Sequence, residues 1–595
     1  MIVLSAIILC LASISVFAQL PLPQSPYLPP NATFGAVASN DGSTPNPHWS
    51  TLLGNLIWFY EAQRSGKLPS TNRVSWRNDS ALDDGKDSGV DLVGGYYDAG
   101  DYVKFTYPMS FSLMSICWGA IDSGKGYDAA NQTAYLDDML RWGLDWLIKA
   151  HPSENTLFIQ VGDSNVDNAY WGGDQSIPTP RQSFQINSTS PGTDAAAQAS
   201  AAFSACSALY GNHALSSTSS PASLANGDYA STLLTHAQQL YKFATTAPQR
   251  TYQTSVPASA DAYASSGFND DLSIAALFLA LASNSSDVYS QGVDYYVKNG
   301  LSKQIQPANA QVLNWDSKTP GVVILGAQLE NMYPDLIANA ASKSNFANDA
   351  ETYLDAIVNG NGRGTLTKGG LLYYDGDSDD ASLNPALNAA MLLTRYATTV
   401  LPSSSPKRTQ YLSFAQSQLN YALGNNPMTV PYIVGTHPNS PINPHSAIST
   451  GADSSDISNL DTVPLKERYV LYGAVIGGPD KNDKFWDLRS DWAQGEVALD
   501  YNAPLLTLVA QTLANDTSAN TNPYYTTLTV GSYEDVRPAG YPCDNAVQTG
   551  CKKGGLSQAA KIAIAVVVTV VALVLIGLST YWWMLVRRNK MKRYV

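Results

Sequence analysis

The chain has 595 residues, of which 14% are charged and 10% aromatic, and its formal net charge is −14. Five basic side chains sit in the last nine residues, so the remainder carries −19, which argues against nucleic acid and anionic polymers as partners. A neutral polymer, gripped through flat aromatic faces, fits this composition better.

Taken in chain order, the apolar run from Ile2 to Phe17 ends in small residues, so residues 1–18 read as a secretory signal peptide. Helical periodicity then recurs through the body. In Asp228–Ala244, for example, Leu233, Ala237, Leu240, Tyr241 and Ala244 fall on one face. Further helix starts are predicted near residues 47, 107, 132, 193, 270, 286, 320, 347, 385, 406 and 491. Strand signals are few and short, and long Gly/Pro/Asp/Asn-rich loops separate the helices. A closed ring of helical hairpins would bury so many amphipathic helices and leave those loops to build one cleft, so an all-α fold is expected over residues 19–515.

Past Asp516 the helical pattern stops, and residues 516–561 read as a juxtamembrane spacer. Ile562–Val586 is an uncharged, almost wholly apolar run of 25 residues. About 20 such residues span a bilayer. Tyr581, Trp582 and Trp583 mark its interfacial edge, and Arg587, Arg588, Lys590, Lys592 and Arg593 follow. The expectation is a single-pass type I protein of the cell membrane, with residues 587–595 as a cytosolic tail and the rest outside. Sequons at Asn31, Asn78, Asn131, Asn187, Asn284 and Asn515 agree with that expectation. Of five cysteines, Cys10 leaves with the signal, Cys543 and Cys551 suit a small loop disulfide, and Cys117 and Cys206 suit either buried thiols or a bridge. No Cys/His spacing suggests zinc, and no metal ligands are assigned.

Two acidic clusters carry the chemistry. Gly94-Gly-Tyr-Tyr-Asp-Ala-Gly-Asp-Tyr-Val-Lys-Phe105 holds Asp98 and Asp101, and the segment from Phe485 to Ala503 holds Asp487, Asp491 and Glu496. A carboxylic acid can protonate a glycosidic oxygen while a carboxylate across the sugar activates water. Such aspartates also suit turns and helix caps, and a glutamate in a first helical turn favours the dipole.

Several motifs in order resemble glycoside hydrolase family 9, the inverting β-1,4-glucanases with an (α/α)6 barrel. They are Trp76–Gly85 with the Gly94–Phe105 run, then Val161-Gly-Asp163 with Asp167 and Trp171. Pro191-Gly-Thr-Asp194, Tyr421–Pro427, Gly477-Gly-Pro-Asp480 and the Phe485–Ala503 block follow. The resemblance implies a membrane-anchored endo-β-1,4-glucanase of fungal type acting on cellulose or a related β-glucan. It implies Asp101 as general base, Asp98 as its helper holding the water, Glu496 as general acid, and Asp487 and His445 near the substrate. Glu496 should have a raised pKa and Asp101 an ordinary one. Trp171, Trp315 and Tyr97 are expected to contact sugar, with core packing as the competing reading for the tryptophans. No cofactor is required, although structural calcium is possible; Asp375-Gly-Asp-Ser-Asp-Asp380 lacks the glycine and glutamate of an EF-hand and reads as a solvated acidic loop. Two departures stand out: Ala447 replaces an expected arginine, and Asn168 an expected histidine. They leave open another β-linked polysaccharide (mixed-linkage glucan, xyloglucan or a glucosamine-containing polymer). A non-catalytic glucan-binding surface protein is the alternative from another class.

Overall fold

The computed structural model describes residues 19–31, 47–452, 457–515, 528–551 and 558–591. The expected signal peptide lies outside them, as do parts of the expected spacer and tail. Among the described residues twelve long helices run from residue 47 to residue 515. They are α1 (Pro47–Ala62), α2 (Thr106–Ala129), α3 (Thr133–Ala150), α4 (Thr193–Tyr210), α5 (Gly227–Thr246) and α6 (Asn269–Ser283). They continue as α7 (Ser286–Lys298), α8 (Thr319–Met332), α9 (Phe346–Val358), α10 (Leu383–Thr399), α11 (Pro406–Ala422) and α12 (Leu499–Asn515). The even-numbered helices pack each on the next, and α12 returns to α2 to close a ring. The odd-numbered helices lie against them as an outer layer, which makes an (α/α)6 barrel.

The residues explain which helix goes where. An inner helix is covered on every side and needs small residues all round. Helix α4, rich in Ala and Ser, is buried at every position. An outer helix needs one apolar stripe, and α5 buries Leu233, Ala237, Leu240, Tyr241 and Ala244 as its periodicity predicts. Cys117 of α2 and Cys206 of α4 form a disulfide between neighbouring inner helices, with Cα atoms 5.1 Å apart, so of the two readings the bridge is the one formed. Cys543 and Cys551 are also each disulfide-bonded. Near the C-terminal ends of the inner helices, buried Asp122 of α2 pairs with Arg395 of α10. Gln328 of α8 donates to the same carboxylate at 2.9 Å, and Trp118 lies 3.7 Å from the guanidinium.

The short strands belong to the loops. Strands β1 (Lys104–Phe105), β2 (Thr156–Val161) and β3 (Ser183–Asn187) form one antiparallel sheet in that order, and β1 runs straight into α2. Strands β4 (Thr365–Leu366) and β5 (Leu372–Tyr373) form a second pair.

The last helix differs from its expected start near 491. Trp492–Gly495 is a separate turn whose first amides are gathered by Asp491, and Glu496 follows in extended backbone (φ −64°, ψ 147°) before α12 begins at Leu499. Glu496 is therefore not a first-turn helix residue. Residues up to 547 belong to the same compact unit as the helices. Within that unit the segment from 528 folds back: Tyr533 is buried and donates to the Phe485 carbonyl at 3.0 Å, and Arg537 donates to that of Trp486 at 2.9 Å.

Residues 548–595 form a second unit, which contains a helix over Gln558–Met591. The expected membrane anchor is corrected here, because among the described residues no helix is long and apolar enough to cross a membrane. The cell-membrane placement, the membrane as partner and the cytosolic tail rested on that anchor and lose their support with it.

Candidate active site

The inner helices bring their N-terminal ends to one side of the ring, and hydrogen bonds tie those ends together. Tyr107 of α2 lies 3.2 Å from Asp271 of α6, Lys318 at the start of α8 pairs with Asp271 at 2.7 Å, and Asn384 of α10 donates to Asp500 of α12 at 2.8 Å. Each helix N-terminus carries roughly half a positive charge, so this end of the ring favours anions.

Three backbone segments meet there. The Asp98 N–H donates to the Val103 carbonyl at 3.0 Å, which pinches residues 98–103 into a loop containing Asp101. The Leu499 N–H donates to the Asp98 carbonyl at 3.0 Å, which ties that loop to α12. The loop also docks on a third segment, since the Ala447 N–H donates to the Gly100 carbonyl at 2.7 Å. A Cβ at Gly100 would collide with the His445 carbonyl oxygen, so only glycine allows this approach. His445 in turn donates its N–H to Gly495 at 2.8 Å and bridges to Glu496, whose own carbonyl is held by Gly477 N–H at 2.9 Å. Asp98, Asp101 and Glu496, nearly 400 residues apart in sequence, are thereby joined through His445.

Their electrostatics follow from burial and mutual repulsion, which Arg181 offsets in part at Asp101 and Asp167. Burial, then the charges of Asp101, Asp500 and Asp380, raises the Glu496 pKa to about 8. Asp101 is also pushed well above its ordinary value, by burial and by the nearby Asp167 and Asp98, which departs from the ordinary pKa expected of it. Asp98 is raised by burial against a lowering hydrogen bond from Tyr263, whose hydroxyl donates to Oδ2; its Oδ1 has no partner, and neither does Oδ1 of Asp101. Asp167 is raised to about 6, chiefly by burial, while accepting the Tyr102 N–H at 3.1 Å.

The other expected site residues divide into those near the carboxylates and those beneath them. The His445 Nδ1 lies 2.5 Å from the Arg489 carbonyl, which can only accept, so Nδ1 carries the proton. Burial keeps the ring neutral, leaving Nε2 as an acceptor. Asp487 is held by backbone amides. It is buried at φ +53°, and its oxygens accept the N–H groups of Ile442 at 3.1 Å and Asn443 at 3.0 Å, so it shapes the segment that carries His445.

Trp171 is 4% exposed and packs with Tyr97, Tyr102 and Ala447, its ring 4.9 Å from that of His445, so the packing reading holds for it. Tyr97 is 0% exposed and donates to Ser80 Oγ at 2.8 Å; it has no face to offer a sugar. Ala447 is buried in the same cluster, so the departure from arginine lies under the cleft wall. Trp315 is half-buried and meets Tyr263 edge-on at 4.9 Å, which leaves it placed near Asp98. Tyr263 was not singled out by sequence, because it sits alone in an irregular stretch without any motif.

The calcium expectation finds no fit. Among the described residues no group of three or more His, Cys, Asp or Glu side chains is placed to hold a metal ion. In the 375–380 loop Asp375 pairs with Lys481, Asp377 with Arg363, and Asp379 and Asp380 accept from Tyr373 and Asn545.

Residues 49–509 match the model of the family described as Glycosyl hydrolase family 9. The chain belongs to that family. It is 37% identical over 462 residues to Endoglucanase A of Bacillus pumilus, covering 76% of this chain but only 64% of that protein. The structure of an endoglucanase from the termite Nasutitermes takasagoensis superposes with a TM-score of 0.68 at 34% identity, over 78% of this chain and 98% of that one. Endoglucanase CelQ of Clostridium thermocellum, complexed with cellobiose and cellotriose, superposes with a TM-score of 0.64 at 29% identity, over 80% of this chain and 72% of that one. These relatives are bacterial and insect, and lend no support to the expected fungal type.

Proposed function

We propose that this family 9 protein is an endo-β-1,4-glucanase that cleaves internal bonds of cellulose or a related β-glucan with inversion, Asp101 acting as base and Glu496 as acid. The observation that carries the reading is the convergence of half-buried Glu496 and Asp101 with buried Asp98, an acidic group that Arg181 offsets only in part, inside a family whose relatives bear the name endoglucanase. With a pKa of about 8, Glu496 holds a proton at neutral pH and can deliver it to the leaving glycosidic oxygen. Protonated Glu496 also removes a negative charge from beside Asp101, which favours the carboxylate form of Asp101 that a base needs. Tyr263 donates to Asp98 and steadies it as an anion next to the attacking water. His445, held by Arg489 and by the Asp487-shaped segment, presents Nε2 as an acceptor for a sugar hydroxyl, and Trp315 offers a ring face. Binding of cellobiose and cellotriose by CelQ supports a β-glucan substrate.

The catalytic body corresponds to residues 19–515. The sequons are compatible with a glycoprotein: Asn131 and Asn284 are exposed, whereas Asn78 is engaged by Asp174 at 3.1 Å. Reducing-end release from carboxymethylcellulose and barley β-glucan, with Asp101→Ala and Glu496→Gln alongside, tests the proposal. Release by wild type that both variants abolish supports it, and the ratio of the two substrates decides between cellulose-type and mixed-linkage glucan. Binding of either glucan without release points instead to the glucan-binding alternative.

A further inference from the structure

The loop that carries Asp98 and Asp101 has three consecutive carbonyls, and each is held by a different part of the chain. The Asp98 carbonyl takes the Leu499 N–H at the start of α12, and the Gly100 carbonyl takes the Ala447 N–H. The Ala99 carbonyl between them takes Nε2 of Gln63 at 2.6 Å. Gln63 follows directly on α1, and its own carbonyl accepts the Tyr97 N–H at 2.9 Å, so one residue grips the loop on both sides of Asp98. The outer two holds are made by backbone amides, whereas the middle one depends on a side chain. Gln63 is 0% exposed, and its Oε1 has no hydrogen-bond partner in the protein. A buried acceptor without a partner is costly, so the amide is kept here for what it donates. Gln63 is itself clamped. Arg77, buried, donates to the Ala62 carbonyl and, at 2.7 Å, to that of Arg64, the residues on either side. Asp174 fixes the guanidinium at 2.8 Å. One turn back on α1 the Tyr60 hydroxyl donates at 2.6 Å to the carbonyl of Leu499, in the segment that leads from Glu496 into α12. The end of α1 is thereby bonded both to the base's loop and to the segment that carries the acid.

We propose that Gln63 is a positioning residue for the hydrolysis: through the Ala99 carbonyl it sets where Asp98 and Asp101 stand relative to Glu496. Inversion needs room for one water between base and sugar, so the spacing of the two carboxyls is part of the chemistry. A misplacement of about 1 Å can cost roughly 10²-fold in rate. The inference rests on the glucanase reading and deepens it. The charged and titratable groups on the segments joined at Gln63 are Glu61 and Arg64 beside it, Arg77 over the end of α1, and Tyr97, Asp98 and Asp101 on the loop.

The test follows the full chain on barley β-glucan, with melting temperature, cellotetraose binding by calorimetry, and deuterium exchange over residues 97–103 measured beside it. Gln63→Ala should lower kcat about ten- to hundredfold, leave KM and cellotetraose binding within about threefold of wild type, and speed exchange at Tyr97 and Asp98. Gln63→Glu supplies the rescue. Its introduced carboxyl, when protonated, donates to the Ala99 carbonyl as the amide does; when ionised, it loses that donor and sets a negative charge beside the loop. Activity should therefore be mostly recovered near about pH 5 and lost as the pH rises, with the alkaline limb below that of wild type. A role confined to stability would lower the melting temperature and leave both the kcat of the folded variant and that limb in place. If Gln63→Ala melts early, Gln63→Asn, too short to reach the carbonyl, is the second route to the same loss of kcat. Wild-type kcat in folded Gln63→Ala or Gln63→Asn, with no pH-dependent loss in Gln63→Glu, would overturn this inference alone. A wild type inactive on the glucan whose Gln63→Ala variant still exchanges faster over residues 97–103 would overturn the glucanase reading and keep Gln63 as the anchor of that loop. An inactive wild type with unchanged exchange in the variant would overturn both.

Discussion

The two ends of the helical ring handle buried charge in opposite ways. At the C-terminal ends of the inner helices Asp122 is matched by Arg395, Gln328 and the face of Trp118. At the N-terminal ends Lys318 matches Asp271, yet beside that pair Asp98, Asp101, Asp167, Glu496 and Asp500 gather, with Arg181 as the cation acting on Asp101 and Asp167, and each of the five has a raised pKa with burial as the leading cause. The first arrangement stabilises the fold, while the second is tolerated because helix N-termini offset part of the charge and because a reaction needs it. A matched charge marks scaffold and an unmatched one marks chemistry.

The strongest way to break this comparison is at the unmatched end. Glu496→Gln should cut kcat on carboxymethylcellulose by at least about 10²–10⁴-fold, the usual worth of a general acid, with its melting temperature unchanged or higher. At the matched end the outcome should invert. Asp122→Ala leaves Arg395 buried and unpaired and should cost about 3–5 kcal/mol in denaturant unfolding, with KM for soluble glucan unaltered. Removing the bridge between α2 and α4 through Cys117→Ala with Cys206→Ala should cost about 2–4 kcal/mol, since it closes a loop of 89 residues of sequence separation. Its effect on the cleft should be small.

A finer contrast lies in pH. A carboxyl whose folded pKa is raised holds a proton that the unfolded chain releases, so its stabilising effect is complete at low pH and fades as pH rises through the folded value. For Glu496 that window runs from about 4.5 to about 8, and Glu496→Gln should flatten the loss of stability across it. His151 behaves in the opposite sense. Burial and the neighbouring His236, 2.8 Å away, depress its pKa to about 4. Its contribution is present above pH 6.5 and lost as pH falls towards 4, so His151→Gln should soften the acid side of the stability curve. Calorimetric melts from pH 4 to pH 9 check both.

The sequence made the scaffold legible because an inner or outer helix announces itself locally, in the all-round small residues of α4 and the single stripe of α5. Asp98, Asp101 and Glu496 were legible because each lies in a run of residues that the family resemblance specifies. Long-range facts were not. Tyr97 and Trp171 share the aromatic texture of a sugar platform, yet the packing of residues 447–452 against them buries both. Tyr263 reaches Asp98 across 165 residues from a stretch with no pattern. The return of residues 528–547 onto the Phe485 loop depends on single contacts by Tyr533 and Arg537 that no periodicity reveals. The raised pKa of Asp101 arises from neighbours that only the fold assembles.

The central claim is that Glu496 is the acid and acts from an acidic group offset only in part, and the pH dependence of wild-type kcat/KM on a soluble β-glucan tests it most directly. The account predicts a bell whose alkaline limb falls near pH 8, and whose acid limb lies above the ordinary aspartate value because Asp101 must lose its proton. An alkaline limb near pH 4 to 5, where an unperturbed glutamate titrates, would contradict it.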